Sequence, residues 1–297
     1  MFRRYQSVLA LGLFAALGIP FLASARSAAA GPLEEMISPV SIPTINEDPR
    51  IDTELRPMYM YTSIANSFVT GGGNYSVAAV QLRAAITDRI GFIATKDGYV
   101  WLNPDAVVKS GDGFANLAFG FKGALVRDEE NAFIATIGFR YEVPSGTQAV
   151  LQGKGDGLLN PFGSVAKGFG DLHTQLYAGP RIAISGRDSS FFDLGFHLDY
   201  RFFDRFYPLV ELNWIRVLEG GSRIAIDQEG YDLVDLGASE SGGTSVSTIA
   251  LGFRYRIIDD LDFGVTGEFP WTSREDIFGW RVTTDFIWRP FGWKSLL

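Results

Sequence analysis

The chain has no cysteine, which excludes disulfides, thiol catalysis, cysteine-ligated metals and a lipid-modified N-terminal Cys. It has two histidines, His173 and His197, too few to imply a metal cluster. Beyond the N-terminus, no stretch approaches the ~18 uninterrupted apolar residues that a membrane helix needs, so any crossing must be made by strands. Basic residues are in deficit: 26 Lys and Arg stand against 34 Asp and Glu, a net charge of −8. No basic, aromatic-laced patch reverses this, so nucleic acid is not an expected partner.

Residues 1–30 read as a signal peptide. Arg3 and Arg4 supply a basic start, Val8 to Leu22 an apolar core broken by Pro20, and Ala23-Ser24-Ala25 or Ala28-Ala29-Ala30 a small-residue cleavage site. Cleavage after Ala30 leaves 23 basic against 34 acidic residues. Residues 31–52 contain Pro and show no periodicity, so they are expected to form an irregular arm, below or inside whatever follows. Residues 53–297 carry the fold.

What the chain has in abundance is alternation. From Phe192 to Phe202 the even positions are Phe, Leu, Phe, Leu, Tyr and Phe, and the odd ones Asp193, Gly195, His197, Asp199 and Arg201. One face is apolar and the other charged, over a length that few soluble strands reach. The pattern recurs and predicts twelve strands: about Glu54 to Ile64, Ser76 to Ile86, Ile90 to Trp101, Phe114 to Val126, Phe133 to Val143, Leu158 to Phe169, Leu172 to Ile184, Phe192 to Phe202, Tyr207 to Val217, Val246 to Ile257, Leu261 to Phe269 and Trp280 to Arg289. Alternation blurs near Lys96 to Tyr99 and is weak in the sixth strand. That strand is required all the same, because only with it does the long Glu219 to Thr244 loop fall on the same side as the other long loops.

Connections alternate between short, Asp-bearing turns (Asp88, Asp128, Asp171, Asp204, Asp259) and longer loops. With even strand parity and strands of about ten residues, this is the asymmetry of an all-β, antiparallel, up-and-down transmembrane β-barrel. A soluble β-sandwich gives no reason for it. Tyr59, Tyr61, Trp214, Trp271, Trp280 and Trp288 fall towards strand ends, as an aromatic girdle requires.

A charge facing lipid near the midplane costs up to a few kcal/mol, so the polar face must point inward. The candidates for lining the lumen are Arg83, Lys122, Arg140, Glu142, His173, Arg181, Asp193, His197, Asp199, Arg201, Glu211, Arg254, Arg256, Glu268, Arg281 and Asp285, with Arg56 and Asp262 beside them. Both signs occur, so the plainer expectation is a salt-bridged interior, and the sharper one a selective pore with opposing charge clusters. His173 and His197 lie on adjacent strands near Asp199, which raises a barrel-wall hydrolase, but no nucleophile is placed by a motif. Gly153 to Gly157 lacks the Gly-Lys-Ser/Thr ending of a phosphate loop. No catalytic, cofactor-binding or metal site is expected. Asp227, Glu229, Asp232, Asp235 and Glu240 make the long loop acidic: a solvated outer loop is the plainer expectation, an inward-folded constriction the alternative.

The run Phe139-Arg140-Tyr141-Glu142-Val143-Pro144-Ser145-Gly146, followed by Gly153 to Gly157 and a Lys167-bearing strand, resembles the outer-membrane barrel proteins of the MetA-pathway of phenol degradation family. Glu47-Asp48-Pro49-Arg50 leading to Thr53-Glu54-Leu55-Arg56-Pro57 is similar to the start of uncharacterised relatives. The resemblance implies uptake of hydrophobic or aromatic compounds and supplies no catalytic residues. The expectation is therefore a narrow, passive outer-membrane channel set in lipid after insertion by the barrel-assembly machinery. The alternatives are a structural or surface-interaction barrel with an occluded lumen and, third, an outer-membrane hydrolase.

Overall fold

The computed structural model describes residues 33–290; the expected signal peptide lies outside them. A 3-10 turn, Leu33–Glu35, opens an irregular arm that runs to Thr53. Fourteen strand segments follow: β1 Glu54–Ser63, β2 Gly73–Ala85, β3 Ile90–Lys96, β4 Tyr99–Pro104, β5 Gly111–Phe114, β6 Leu117–Asp128, β7 Phe133–Val143, β8 Leu158–Phe169, β9 Leu172–Ala183, β10 Ser190–Tyr200, β11 Phe206–Glu219, β12 Ser245–Ile258, β13 Leu261–Pro270 and β14 Trp280–Trp288.

These fourteen segments make twelve staves. β3 and β4 are one stave broken at Asp97-Gly98, where Gly98 takes φ +106°; both pair with β2, β3 also with β6 and β4 with β5. β5 and β6 are the next stave, broken at Ala115-Asn116. The blurred alternation at Lys96 to Tyr99 is this break: a register shift turns Lys96 inward, against Glu142. Each remaining stave pairs with its sequence neighbours, and β1 pairs with both β2 and β14, closing an antiparallel barrel. Closure removes every edge, which is what allows a sheet to cross lipid.

β8 is a full stave, buried at every second residue. Its pattern is hard to read because its inward positions mix Leu158, Asn160, Phe162, Ser164 and Ala166. β10 ends at Tyr200, and Phe202 makes only an isolated bridge to Phe206 across a turn in which Phe203 and Asp204 both have positive φ.

The outer surface is apolar and aromatic at both rims. At the mouth with the long loops, Tyr61 packs on Trp280 at 5.3 Å and Tyr99 on Trp101 at 5.1 Å. At the opposite mouth Phe206, Phe253, Phe263 and Phe286 form a continuous row, with centroids 5.2 to 6.2 Å apart. Inward positions carry charge towards both mouths, and on the side of β1, β2 and β4 towards the loops Met58, Met60, Tyr75, Val77, Val100 and Leu102 form one buried cluster.

The wall and the interior meet at Phe162. A Cβ on Gly138 would lie 2.2 Å from its ring, so the ring takes the place of a side chain there, beside Tyr177 at 5.5 Å and under the Arg140 guanidinium at 4.9 Å. Gly138→Val must displace this ring, an overpacking that costs roughly 1–3 kcal/mol. The expected outcome is a lower urea midpoint for loss of the heat-modifiable, folded band on gels.

Candidate functional site

The arm enters at the mouth bearing the short turns and returns to it. Leu33, Met36 and Ile51 share a buried cluster there with Ala85, Ala124, Ala132, Ile134 and Ala166. Between them the chain rises to a tip at Ser41 to Asn46, where Ile42 has φ +44°, and Ile42 and Ile45 pack against Ile93, Phe162, Tyr177, Phe191 and Ile215. It lies inside the barrel, which settles where an aperiodic, Pro-containing segment goes.

A peptide with no ladder of its own leaves its carbonyls needing donors. The arm supplies some itself, Arg50 to Met36 O at 2.6 Å and Asn46 to Ser41 O at 3.2 Å, and wall side chains supply many more. Arg56 donates to Pro39 O at 2.7 Å, Gln81 to Pro43 O at 2.8 Å, Lys122 to Asp48 O at 2.7 Å and Thr136 to Pro49 O at 2.6 Å. Arg140 holds Thr44 O and Ile45 O at 2.9 and 2.7 Å, Gln175 holds Ile37 O at 2.6 Å, and Arg254 and Arg256 reach Ser38 O and Glu34 O, each at 3.3 Å. Two arm amides have an acceptor in return: Val40 N and Ser41 N donate to the two oxygens of Glu211 at 2.8 and 2.6 Å.

Side chains of the arm complete the fit. Glu47 accepts from Arg83 through both oxygens, at 2.9 Å each, and from Lys122 at 2.8 Å. Asn46 donates to Asn213 at 2.8 Å and sits over Gly195, where a Cβ would lie 2.1 Å from its oxygen. The glycine on the polar face of β10 is thus a seat for the arm.

The other inward charges pair within the wall. Asp285 accepts from Arg56 and Arg254, both at 2.7 Å, and Arg181 bonds Asp193 at 2.7 and 3.0 Å. Glu142 takes Lys96 at 2.6 Å, Arg256 approaches Asp262 at 3.3 Å, and Glu268 accepts from Asn213 at 3.0 Å. Arg201, half-buried at the mouth, joins Asp171 and Glu35 of the arm. The histidines form a chain: His173 Nδ1 to Asp199 at 2.8 Å, Asp199 to His197 Nε2 at 3.0 Å, and His197 Nδ1 to Glu211 at 2.7 Å. Both nitrogens of His197 face carboxylates, so both must carry protons to bond, and a ring so held has no free base nitrogen. Among the described residues, no serine or threonine hydroxyl bonds either ring. The chain ends on the arm amides rather than on a nucleophile.

The long loop between β11 and β12 corrects the expectation of a solvated outer loop. Its residues Tyr231 to Val234 are buried, with Leu233 and Val234 in the apolar cluster of the outer half and Tyr231 in the cluster that holds the arm tip. Arg281 grips Asp232 at 2.7 and 3.0 Å, and Arg181 donates to Tyr231 O at 3.0 Å. Glu229 accepts from Ser189 and from the amides of Gly230, Leu236 and Ala238. Between arm tip and loop remains a cavity of about 20 Å³ lined by Thr44, Ile45, Lys96, Arg140, Glu142, Arg181 and Asp232, room for about one water.

Sequence reasoning put the neutral donors Gln81, Thr136, Gln175 and Asn213 on the polar faces of their strands but did not count them among the lumen-lining candidates; each lies at an inward position. It also missed Lys96, hidden by the register shift, and the arm's own Asn46, Glu47 and Asp48, which no periodicity marks.

No family model matches this chain, and no curated relative does. Among solved structures, the COG4313 outer membrane channel from Pseudomonas putida F1 superposes with TM-score 0.58 at 8% identity, covering 85% of this chain and 99% of that one. The NanC porin superposes with TM-score 0.50 at 8% identity, covering 80% and 100%. The fold is that of outer-membrane β-barrels.

Two predictions follow from the anchors. Since the chain has no cysteine, Thr44→Cys gives a single probe at the arm tip, expected to resist an impermeant maleimide. Adding Glu211→Ala strands two buried amides, a cost of roughly 1–3 kcal/mol each. Labelling is then expected to accelerate by roughly tenfold or more, and an unchanged rate shows that the amides do not hold the tip. In the loop, burial and the neighbouring Glu229 carboxylate hold Asp235 up at about 7 despite Arg223, and burial raises Asp276 as well. A carboxyl raised in the docked loop binds its proton more tightly than in the released loop. Docking is therefore strongest in mild acid and weakens as pH rises through about 7. Tryptic cleavage at Arg223 should speed up between pH 5 and pH 8, and Asp235→Asn should flatten that dependence.

Proposed function

We propose that this chain is an outer-membrane channel carried in a closed state, with residues 33–52 as its plug and the loop between β11 and β12 as a second closure. The observation that carries the reading is the way the arm is held. Apart from its covalent link to β1, it forms no strand pairing with the wall and is tied by individual side-chain bonds, so it can leave without unzipping a stave. Twelve staves enclose more space than the eight whose side chains fill their own interior, and less than the 16–18 of open porins. Removing the arm leaves a narrow passage.

The passage carries charge at both ends, and towards the outside one side of it, on β1, β2 and β4, is apolar, formed by Met58, Met60, Tyr75, Val77, Val100 and Leu102. An apolar outer vestibule suits small hydrophobic or aromatic solutes, the class that the motif resemblance implies, and the neighbours of like fold include proteins described as a channel and a porin. The chain reaches the outer membrane after export with a cleaved signal peptide and insertion by the barrel-assembly machinery. It acts without catalysis.

The second reading, a permanently occluded structural barrel, draws on the buried ion pairs that tie Glu47 to Arg83 and Lys122. Conductance in planar bilayers separates the two. The parent is expected to stay closed, whereas a barrel lacking residues 33–52, shown to be folded by its heat-modifiable mobility, gives discrete conductance steps. A folded deletion barrel without conductance would sink the channel reading.

A further inference from the structure

On the long staves, outward positions are apolar or small and neutral, apart from Asp128 at the turn that ends β6 and two basic exceptions. Lys167 lies near the periplasmic end of β8, where it donates to Asn131 O and meets the Phe169 ring. Arg216 lies near the opposite end of β11, three residues before the strand stops. It is exposed between outward Trp214 and Leu218, and among the described residues it has no hydrogen-bond or ion-pair partner. Its guanidinium reaches up towards Gly243, where a Cβ would lie 3.9 Å from Nη2. Glu219, at the very end of the strand, does not pair with it.

The surroundings of Arg216 are polar above and apolar below. Directly across the ladder stands Ser245, and Ser247 stands across from Trp214; both serines are at outward, half-buried positions, and neither hydroxyl is engaged. On the other side Arg216 pairs in register with Phe192, whose ring lies 6.2 Å from that of Trp214. A free guanidinium with two free hydroxyls beside it, standing on an aromatic platform on the outside of the wall, is a donor set waiting for an anion at the boundary between headgroups and hydrocarbon. A guanidinium suits phosphate in particular, which it can bind through two parallel bonds.

We propose that the face around Arg216 binds a phosphate of the phosphorylated glycolipid of the outer leaflet, with Ser245 and Ser247 as supporting donors and Phe192 and Trp214 against an acyl chain. The assignment rests on the outer-membrane reading, which places the mouth with the long loops outside. The arm and the short turns define the other mouth, so Arg216 meets the outer leaflet and its sugar-bearing lipid rather than the periplasmic one.

The test is native mass spectrometry of the full chain in detergent with lipid A bearing both phosphates, the same lipid dephosphorylated, and phosphatidylglycerol. The parent should retain bisphosphorylated lipid A, and Arg216→Gln should retain it about tenfold less, the effect of losing about one charge-assisted bond. Arg216→Lys should recover part of the loss, Ser245→Ala should bind a fewfold less, and dephosphorylated lipid should bind the parent no better than the glutamine variant binds the intact lipid. Equal retention by parent and Arg216→Gln, or equal binding of the dephosphorylated lipid, overturns the site. Phosphatidylglycerol held as tightly overturns the glycolipid assignment. Heat-modifiable mobility checks that each variant is folded, and insertion of the parent into vesicles tests the membrane reading separately.

Discussion

A segment without secondary structure can be buried only if each of its backbone polar groups finds a partner, and much of the interior of this barrel is arranged around that requirement. Residues 33–53 carry carbonyls and amides into a space where the ladder is already complete, because every stave is paired on both sides. Beyond a few turns within the arm itself, the bonds come from side chains. That is why Arg56, Gln81, Lys122, Thr136, Arg140, Gln175 and Arg254 point at carbonyls from staves all round the barrel, and why Glu211 points at two amides. It also accounts for the small residues: Gly195 leaves room for Asn46, and Gly138 accepts the ring that carries Arg140.

Electrostatics follow from the same arrangement. Arg83 and Lys122 both point into one region of the wall, where Glu47 arrives on the arm and takes both, beside the wall's own Glu54 at 3.1 Å from Arg83. Desolvating ions is expensive, and breaking a buried pair leaves an uncompensated charge. On the proposed channel reading that cost is conditional, since withdrawing the arm would admit water, and water would resolvate what the arm abandons. The same pairs that hold the plug in a dry interior therefore need not trap it there. This separates a plug from a core: a core residue that loses its partner faces a cavity, whereas these wall residues face a passage that can fill.

The barrel itself was legible in the sequence because lipid on one side and polar groups on the other impose period two on every stave, most plainly in β10 and β14. Legibility failed where that two-solvent rule is relaxed. At Asp97-Gly98 and Ala115-Asn116 the ladder breaks and two staves read as four segments. In β8 the inward face meets Tyr177 and the arm instead of water, so apolar Phe162 is as suitable there as Ser164. The candidate site was half legible for a related reason. Alternation identifies which wall residues turn inward, and Arg83, Arg140 and Glu211 are all inward in the structure. Nothing periodic identifies their partners, because an arm held by side chains has no pattern of its own, and its Asn46, Glu47 and Asp48 look like any polar loop. The acidic loop was misread by its charge: Asp232 and Glu229 are not solvated but seated on Arg281 and on backbone amides.

Two closures in series need not respond to the same signal, and their chemistry differs. The arm is held mainly through its carbonyls, which do not titrate, by side-chain donors of the wall. The loop is held through carboxylates at the outer mouth, and among these Asp235 has its pKa raised into the neutral range. On the proposed reading, a change of pH outside the cell would act on the loop while leaving most of the arm's bonds untouched. The arm, whose two ends both lie at the periplasmic mouth, is accessible to force or competition only from that side. Opening the outer closure alone exposes the apolar vestibule of Met58, Met60, Val77 and Leu102 without opening a path across the membrane. On the proposed channel reading, a solute would then be held between the two closures before the second one yields, an antechamber followed by a gate rather than a single valve.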